Sequence, residues 1–263
     1  MSRARPGQHR PPACPSGWRT GPPDFVGVGV QKAGTSWWYS LLAMHPQVAP
    51  RPDHRKELHF FDCFSGQQFG SADAARYHEF FPRPDGALAG EWTPRYLSDF
   101  WTPRQLAIAA PDAKLLVLLR DPVDRYRSGI THELNLGARR NPTLAIEVMH
   151  RGMYHLQLTA LLRHFPREQV LVLQYEQCRD DPQRQLARTF DFLGLDPMQF
   201  IPSDLSKRVN VTPTEKLLLP AQVSDELQAL YSPDVLALAE EFPEIDVRLW
   251  PNFRDRARRL RRV

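Results

Sequence analysis

Two cations stand where their surroundings could do chemistry. Lys32 lies in a glycine-flanked turn, VGVGVQKAGTSWW, between an apolar run and an amphipathic one, and Arg120 directly follows a second apolar run, AKLLVLLRDP. A strand, a glycine turn and a helix start bring unpaired backbone N–H groups and the positive end of a helix dipole to one point. That combination makes a site for an anion. Arg120 adds a planar fork that can hold two phosphate oxygens, at the strand end where open α/β sheets bind ligands.

The turn invites comparison with the phosphate loop G-x-x-x-x-G-K-[ST]. Gly29 and Gly34 keep its glycine spacing, but Thr35 occupies the lysine position and the lysine stands inside the loop, at Lys32. Where a metal-holding aspartate would follow the second strand there is Arg120. Positive charge here comes from lysine and arginine, so the expectation is an anion site that needs no metal.

The elements that would position these residues can be read along the chain. Phe25, Val26, Val28 and Val30 predict a buried strand, and Thr35 and Ser36 read as caps of a helix whose apolar face carries Trp37, Trp38, Leu41, Leu42 and Met44. A short strand is expected to end near Glu91, with a turn at Pro94. TPRQLAIAAP predicts a helix with Thr102 as cap and Pro103 in its first position. The continuous apolar run from Leu115 to Leu119 predicts a central parallel strand, and Asp121-Pro122 the start of a helix running to about Leu136. Helical periodicity over 152–165, a strand from Val170 to Tyr175, and a helix in DPQRQLARTFDFLGL closed by Gly194 complete the pattern. Strands alternating with helices imply an α/β fold with a parallel sheet covered on both faces.

Length and composition set the frame. The 263 residues suffice for one α/β domain, read as 24–263 behind a Pro- and Arg-rich lead-in over 1–23 that is expected to be disordered. A net charge of +4 suits an anionic ligand without demanding nucleic acid, since the basic residues lack interleaved aromatics. Much of the excess lies in the tail from Arg254 to Arg262, read as a solvated helix end. Three scattered cysteines, Cys14, Cys63 and Cys178, argue for a reducing compartment. With no signal-peptide or membrane-spanning run, the expected location is cytoplasmic. Oligomeric state is not legible.

Six segments in order, VGVQKAGTSWW, KELHFFD, EWTPRYL, LLVLLRDPVDRYRSGI, GMYHLQLTALLRHFP and YEQCRDDP, resemble the sulfotransferases that use 3′-phosphoadenosine 5′-phosphosulfate. The branch most resembled holds the heparan-sulfate sulfotransferase domains and their bacterial relatives, and the likeness runs from about Phe25 to Leu195. It implies a P-loop nucleotide-kinase-like parallel sheet and transfer of a sulfuryl group to a hydroxyl of a small-molecule, glycolipid or carbohydrate acceptor. A small-molecule P-loop kinase and a non-catalytic nucleotide-binding protein are the alternatives.

Residue by residue, the resemblance implies that Lys32, Ala33, Gly34, Thr35 and Ser36 surround the 5′-phosphosulfate, with Lys32 stabilising charge on the departing oxygen. It implies Arg120 and Ser128 as 3′-phosphate ligands, with Arg125 and Arg127 either further ligands or a solvated helix face. Glu57 matches the family's base, and His59, two residues on, is the competing base used by other branches. Trp92 stands where the polysaccharide enzymes carry a substrate-touching lysine, which implies a less anionic acceptor. Leu161 replaces an aromatic near the nucleotide, so adenine is expected to be held otherwise. In SKRVNVTP, Lys207 or Arg208 is expected to close on the 3′-phosphate in place of a missing cysteine-bracketed loop.

Overall fold

The computed structural model describes residues 10–139, 141–196, 204–205 and 216–254. In chain order the elements are β1 (Phe25–Gly29), α1 (Thr35–Leu42), α2 (Ser71–His78), β2 (Gly90–Trp92), α3 (Thr102–Ala109), β3 (Lys114–Leu119) and α4 (Pro122–Asn135). There follow α5 (Pro142–His150), α6 (Tyr154–Leu162), β4 (Val170–Gln174), α7 (Tyr175–Asp180), α8 (Pro182–Leu193) and α9 (Ala221–Glu241). The four strands form one sheet in the order β2-β1-β3-β4, every pair parallel.

The strand sequences explain their positions. Leu115 to Leu119 in β3 and Val170 to Leu173 in β4 are buried throughout, as strands covered on both faces must be. Truncating one of these leucines to alanine is expected to cost about 2–5 kcal/mol. β1, one of the two inner strands, is thin where it meets β2. A side chain at Gly27 would have its Cβ 2.0 Å from the ring of Trp92 on the neighbouring strand. On the outer layers, α1 packs on α8, where the Trp38 indole donates to Thr189 Oγ1 at 3.1 Å, and α9 packs on α6 and α4.

The chain leaves β1 toward β2 on one side and then returns to β3 on the other. The connections after β1 and β3 therefore diverge and leave a crevice at the strands' carboxyl ends, where such sheets bind ligands. Lys32 follows the first of these strands and Arg120 the second.

Several expectations need correction. Thr35 and Ser36 do not cap α1: Gly34 is the N-cap, at φ 91, so both are the first helical residues and their hydroxyls are released from capping. Trp101, not Thr102, takes the N-cap position of α3, and the Thr102 hydroxyl is buried as the first helical residue. Met44 lies past the end of α1 and is 53% exposed. Tyr175 opens α7 and does not extend β4. The Asp121-Pro122 start and the Gly194 stop are as read: Asp121 accepts from the Val123 and Asp124 N–H groups, and Gly194 has φ 80. Arg19, within the lead-in, pairs with Arg83 through both backbone N–H groups, each at 2.9 Å. Among the described residues no helix is long and apolar enough to cross a membrane.

Candidate active site

The turn after β1 is held open by its backbone. Lys32 has φ 70 and Gly34 φ 91, both in the left-handed region. That conformation costs a non-glycine residue such as Lys32 roughly 1–2 kcal/mol, a strain found at functional sites. Gly34 also has no room for a side chain, because a Cβ there would lie 2.9 Å from the ring of Tyr175. The ring covers the turn, and the Arg120 guanidinium lies over it, 5.0 Å from its centre. Arg120 spans the crevice, its Nη1 donating to the Lys32 carbonyl at 3.2 Å. Its Nη2 is 3.7 Å from Asp124, whose other oxygen takes Arg127 at 2.8 Å. The Arg120 Nε is buried without a partner among the described residues. Burial and the charge of Arg120 lower the pKa of the Lys32 ammonium.

The segment Lys56 to His59 meets the same turn. The Lys56 ammonium, 15% exposed, donates to Thr35 Oγ1 at 3.1 Å and lies 2.7 Å from Glu57 Oε1. The other Glu57 oxygen accepts from His59 Nε2 at 3.1 Å, and His59 Nδ1 donates to Asp62 at 3.0 Å. Burial pushes the Glu57 carboxyl up, but the His59 hydrogen bond and the Lys56 charge outweigh it and bring the pKa down to about 2. Burial pushes His59 down, while Asp62 and Glu57 raise it to about 10. With a carboxylate on each nitrogen, His59 is held as an imidazolium. A cavity of about 540 Å³ opens beside Glu57, walled by Ser36, Tyr39, Ser40 and Met44 of the α1 segment and by Lys56.

Lys32, Thr35, Lys56, Glu57, His59 and Arg120 thus form one connected cluster, with Ala33, Gly34 and Ser36 in its turn. No hydrogen bond or ion pair among the described residues joins Ser128 to it. Ser128 is buried on α4, two turns beyond Arg120. Arg125 is not on a solvated face: it is fully buried and donates through Nη2 to the Val148 carbonyl. Trp92 does not face an acceptor, because its indole is buried and donates to the Gly29 carbonyl at 3.1 Å. Leu161 is a core residue. Lys207, Arg208 and the rest of SKRVNVTP lie outside the described residues.

Sequence reasoning missed Lys56, Asp62, Tyr175 and Arg151. Arg151, directly before GMYH, donates to the Gln31 side chain at the mouth of the turn and to Glu133 at 3.3 Å. Tyr175 carried one available signal, an aromatic residue at the carboxyl end of a buried parallel strand.

A parallel sheet with a strand–turn–helix loop, two cations at its crevice and a carboxylate–imidazolium pair beside them defines a phosphate-loop-like α/β protein. The family model for the sulfotransferase domain matches residues 22–210, and the chain belongs to that family. Human heparan sulfate glucosamine 3-O-sulfotransferase 3B1 is 32% identical over 188 residues, covering 66% of this chain and 46% of that protein. Mouse bifunctional heparan sulfate N-deacetylase/N-sulfotransferase 4 is 28% identical, covering 66% of this chain and 22% of the relative. Less than half the length of either relative is therefore matched. A solved sulfotransferase from Alicyclobacillus acidocaldarius superposes with a TM-score of 0.70 at 26% identity, over 86% of this chain and 98% of that one.

Proposed function

We propose that the protein moves a sulfuryl group from 3′-phosphoadenosine 5′-phosphosulfate to a hydroxyl of a small-molecule or glycan acceptor. The observation that carries this reading is the bridge through Lys56. It ties Thr35, on the anion-binding turn, to Glu57, so that a donor's reacting end and an acceptor's base share one spot. The donor, when bound, supplies an activated sulfuryl group on a phosphate leaving group.

The fit of the site to such a donor rests on its own atoms. The Nε of Arg120, buried and without a partner among the described residues, and the α1 N-terminus, which no side chain caps among them, are donors suited to an anion. The Lys32 ammonium and the backbone N–H groups of the turn stabilise negative charge growing on the oxygen that leaves sulfur. Arg120 and Ser128 hold the 3′-phosphate. As the acceptor oxygen bonds to sulfur and the sulfur–oxygen bond to the leaving phosphate breaks, the acceptor's proton passes to Glu57. With a pKa of about 2, Glu57 is ionised at neutral pH and takes that proton late, once the hydroxyl has become acidic. Both nitrogens of His59 are committed to carboxylates, which favours Glu57 as the base and gives His59 the role of orienting it. The cavity beside Glu57 has the volume of a small-molecule site.

The test is incubation with sulfur-labelled donor and a panel of phenols, sugars, glycolipids and heparan oligosaccharides. Transfer by the wild type and not by Glu57→Gln is expected. Magnesium-dependent phosphoryl transfer from ATP, with no sulfuryl transfer, would overturn the reading in favour of a kinase.

A further inference from the structure

Glu57 and His59 stand in a segment, Lys56 to Phe60, that belongs to no strand or helix. Its backbone N–H groups have no ladder to satisfy them, and buried donors must be paired. Side chains from β2 and the turn after it do so. Leu58 N–H reaches Glu91 Oε2 at 2.9 Å and Thr93 Oγ1 at 3.0 Å. The N–H of His59 reaches Thr93 Oγ1 at 3.3 Å, and that of Phe60 reaches the Tyr96 hydroxyl at 2.8 Å.

The hydroxyls can accept in this way because each has somewhere to donate. Thr93 donates to Glu91 Oε2 at 2.5 Å, Tyr96 to Glu91 Oε1 at 3.1 Å, and Tyr77 to the same oxygen at 2.8 Å. Glu91 is completely buried and takes four donors in all. Its burial raises the carboxyl's pKa against the pull of Thr93, Leu58 and Tyr77 and the nearby charge of Arg51, itself paired with Asp53 at 2.6 Å. An ionised carboxylate offers lone pairs to four donors, whereas a glutamine would turn amide hydrogens toward two of them.

We infer that Glu91 is a positioning residue for the base: through Thr93 and Tyr96 it fixes the backbone of Leu58, His59 and Phe60, and so the meeting of Glu57 with His59. The inference rests on the reading of Glu57 as base, but its geometry can be tested without an acceptor. The full chain is prepared as wild type, Glu91→Gln, Thr93→Val and Tyr96→Phe, with Thr189→Val as a control that breaks a buried threonine hydrogen bond elsewhere. Two quantities are read: the His59 titration midpoint by NMR, and the affinity for 3′-phosphoadenosine 5′-phosphate by calorimetry.

The wild-type midpoint is expected near 10. In Glu91→Gln and Thr93→Val it is expected to fall by about one unit or more as the contact with Glu57 loosens. Nucleotide affinity should stay within about twofold, and Thr189→Val should leave the midpoint unmoved. Thr93→Val and Tyr96→Phe, which keep the buried carboxylate, serve if Glu91→Gln does not fold. An unmoved midpoint in all folded variants, with only a lower melting temperature as in Thr189→Val, would overturn the inference. Absence of nucleotide binding in the wild type would instead overturn the proposed function.

Discussion

Lys32 and Arg120 stand at the ends of β1 and β3, while Glu57 and His59 stand in chain with no regular structure. On the first side position comes from the sheet: two buried strands end at a crevice, and the turn and helix that follow aim cations and N–H groups into it. On the second side position comes from side chains, with Lys56 and Asp62 gripping Glu57 and His59 and hydroxyls gripping their backbone. The first arrangement follows from where two buried parallel strands end. The second is rigid only while each of a set of buried hydrogen bonds is made, so it is the side a single substitution can loosen.

If the two sides have separate duties, they should break separately. Glu57→Gln keeps shape and removes the proton acceptor, so turnover should fall by roughly 10²–10⁴ while affinity for 3′-phosphoadenosine 5′-phosphate barely changes. Steady-state kinetics and calorimetry on one preparation check this, and parallel losses in both would show that the sides are not independent. Arg120→Ala should do the reverse. It should weaken the bisphosphate nucleotide by roughly 1.5–3 kcal/mol, with a much smaller loss for adenosine 5′-phosphosulfate, which lacks the 3′-phosphate. Equal losses for the two ligands would make Arg120 structural.

The smallest effect is in pH. Glu57, with a pKa depressed from 4.5, contributes stability that is present above 4.5 and is lost as pH falls through about 2. His59, raised from 6.5, contributes stability that is complete below 6.5 and is lost as pH rises through about 10. Turnover should therefore be nearly flat from about pH 5 to 8, while stability declines gradually above 6.5. In Lys56→Met the acid limb of turnover should move upward, because a cation that holds Glu57 ionised is gone. A midpoint near neutrality in the wild type would contradict the imidazolium assigned to His59.

The same division decides what the sequence disclosed. The apolar run of β3, the Asp121-Pro122 helix start and the Gly194 stop are local patterns, legible because each residue's neighbours dictate it. The placement of Lys32 and Arg120 on either side of one crevice is legible because it follows from strand ends. The Lys56–Thr35 bond joins residues 21 apart, and Glu91 meets Leu58 across 33, so neither leaves a local pattern. Gly34 as N-cap, where Thr35 looked the better candidate, depends on a left-handed backbone that glycine permits but does not announce. Trp92 was misread for a related reason. Its type suggested an acceptor surface, but the empty space above Gly27 in the adjacent strand took the ring into the core.

In the proposed function the crevice between β1 and β3 holds a 3′-phosphorylated nucleotide on lysine and arginine. Calorimetry with 3′-phosphoadenosine 5′-phosphate and with ATP, each in EDTA and in magnesium, tests it most directly. The bisphosphate is expected to bind equally well in both buffers and to stabilise the fold by about 3 kcal/mol at about a hundred times its dissociation constant. Tight binding of ATP in magnesium alone, with no heat from the bisphosphate, would contradict it.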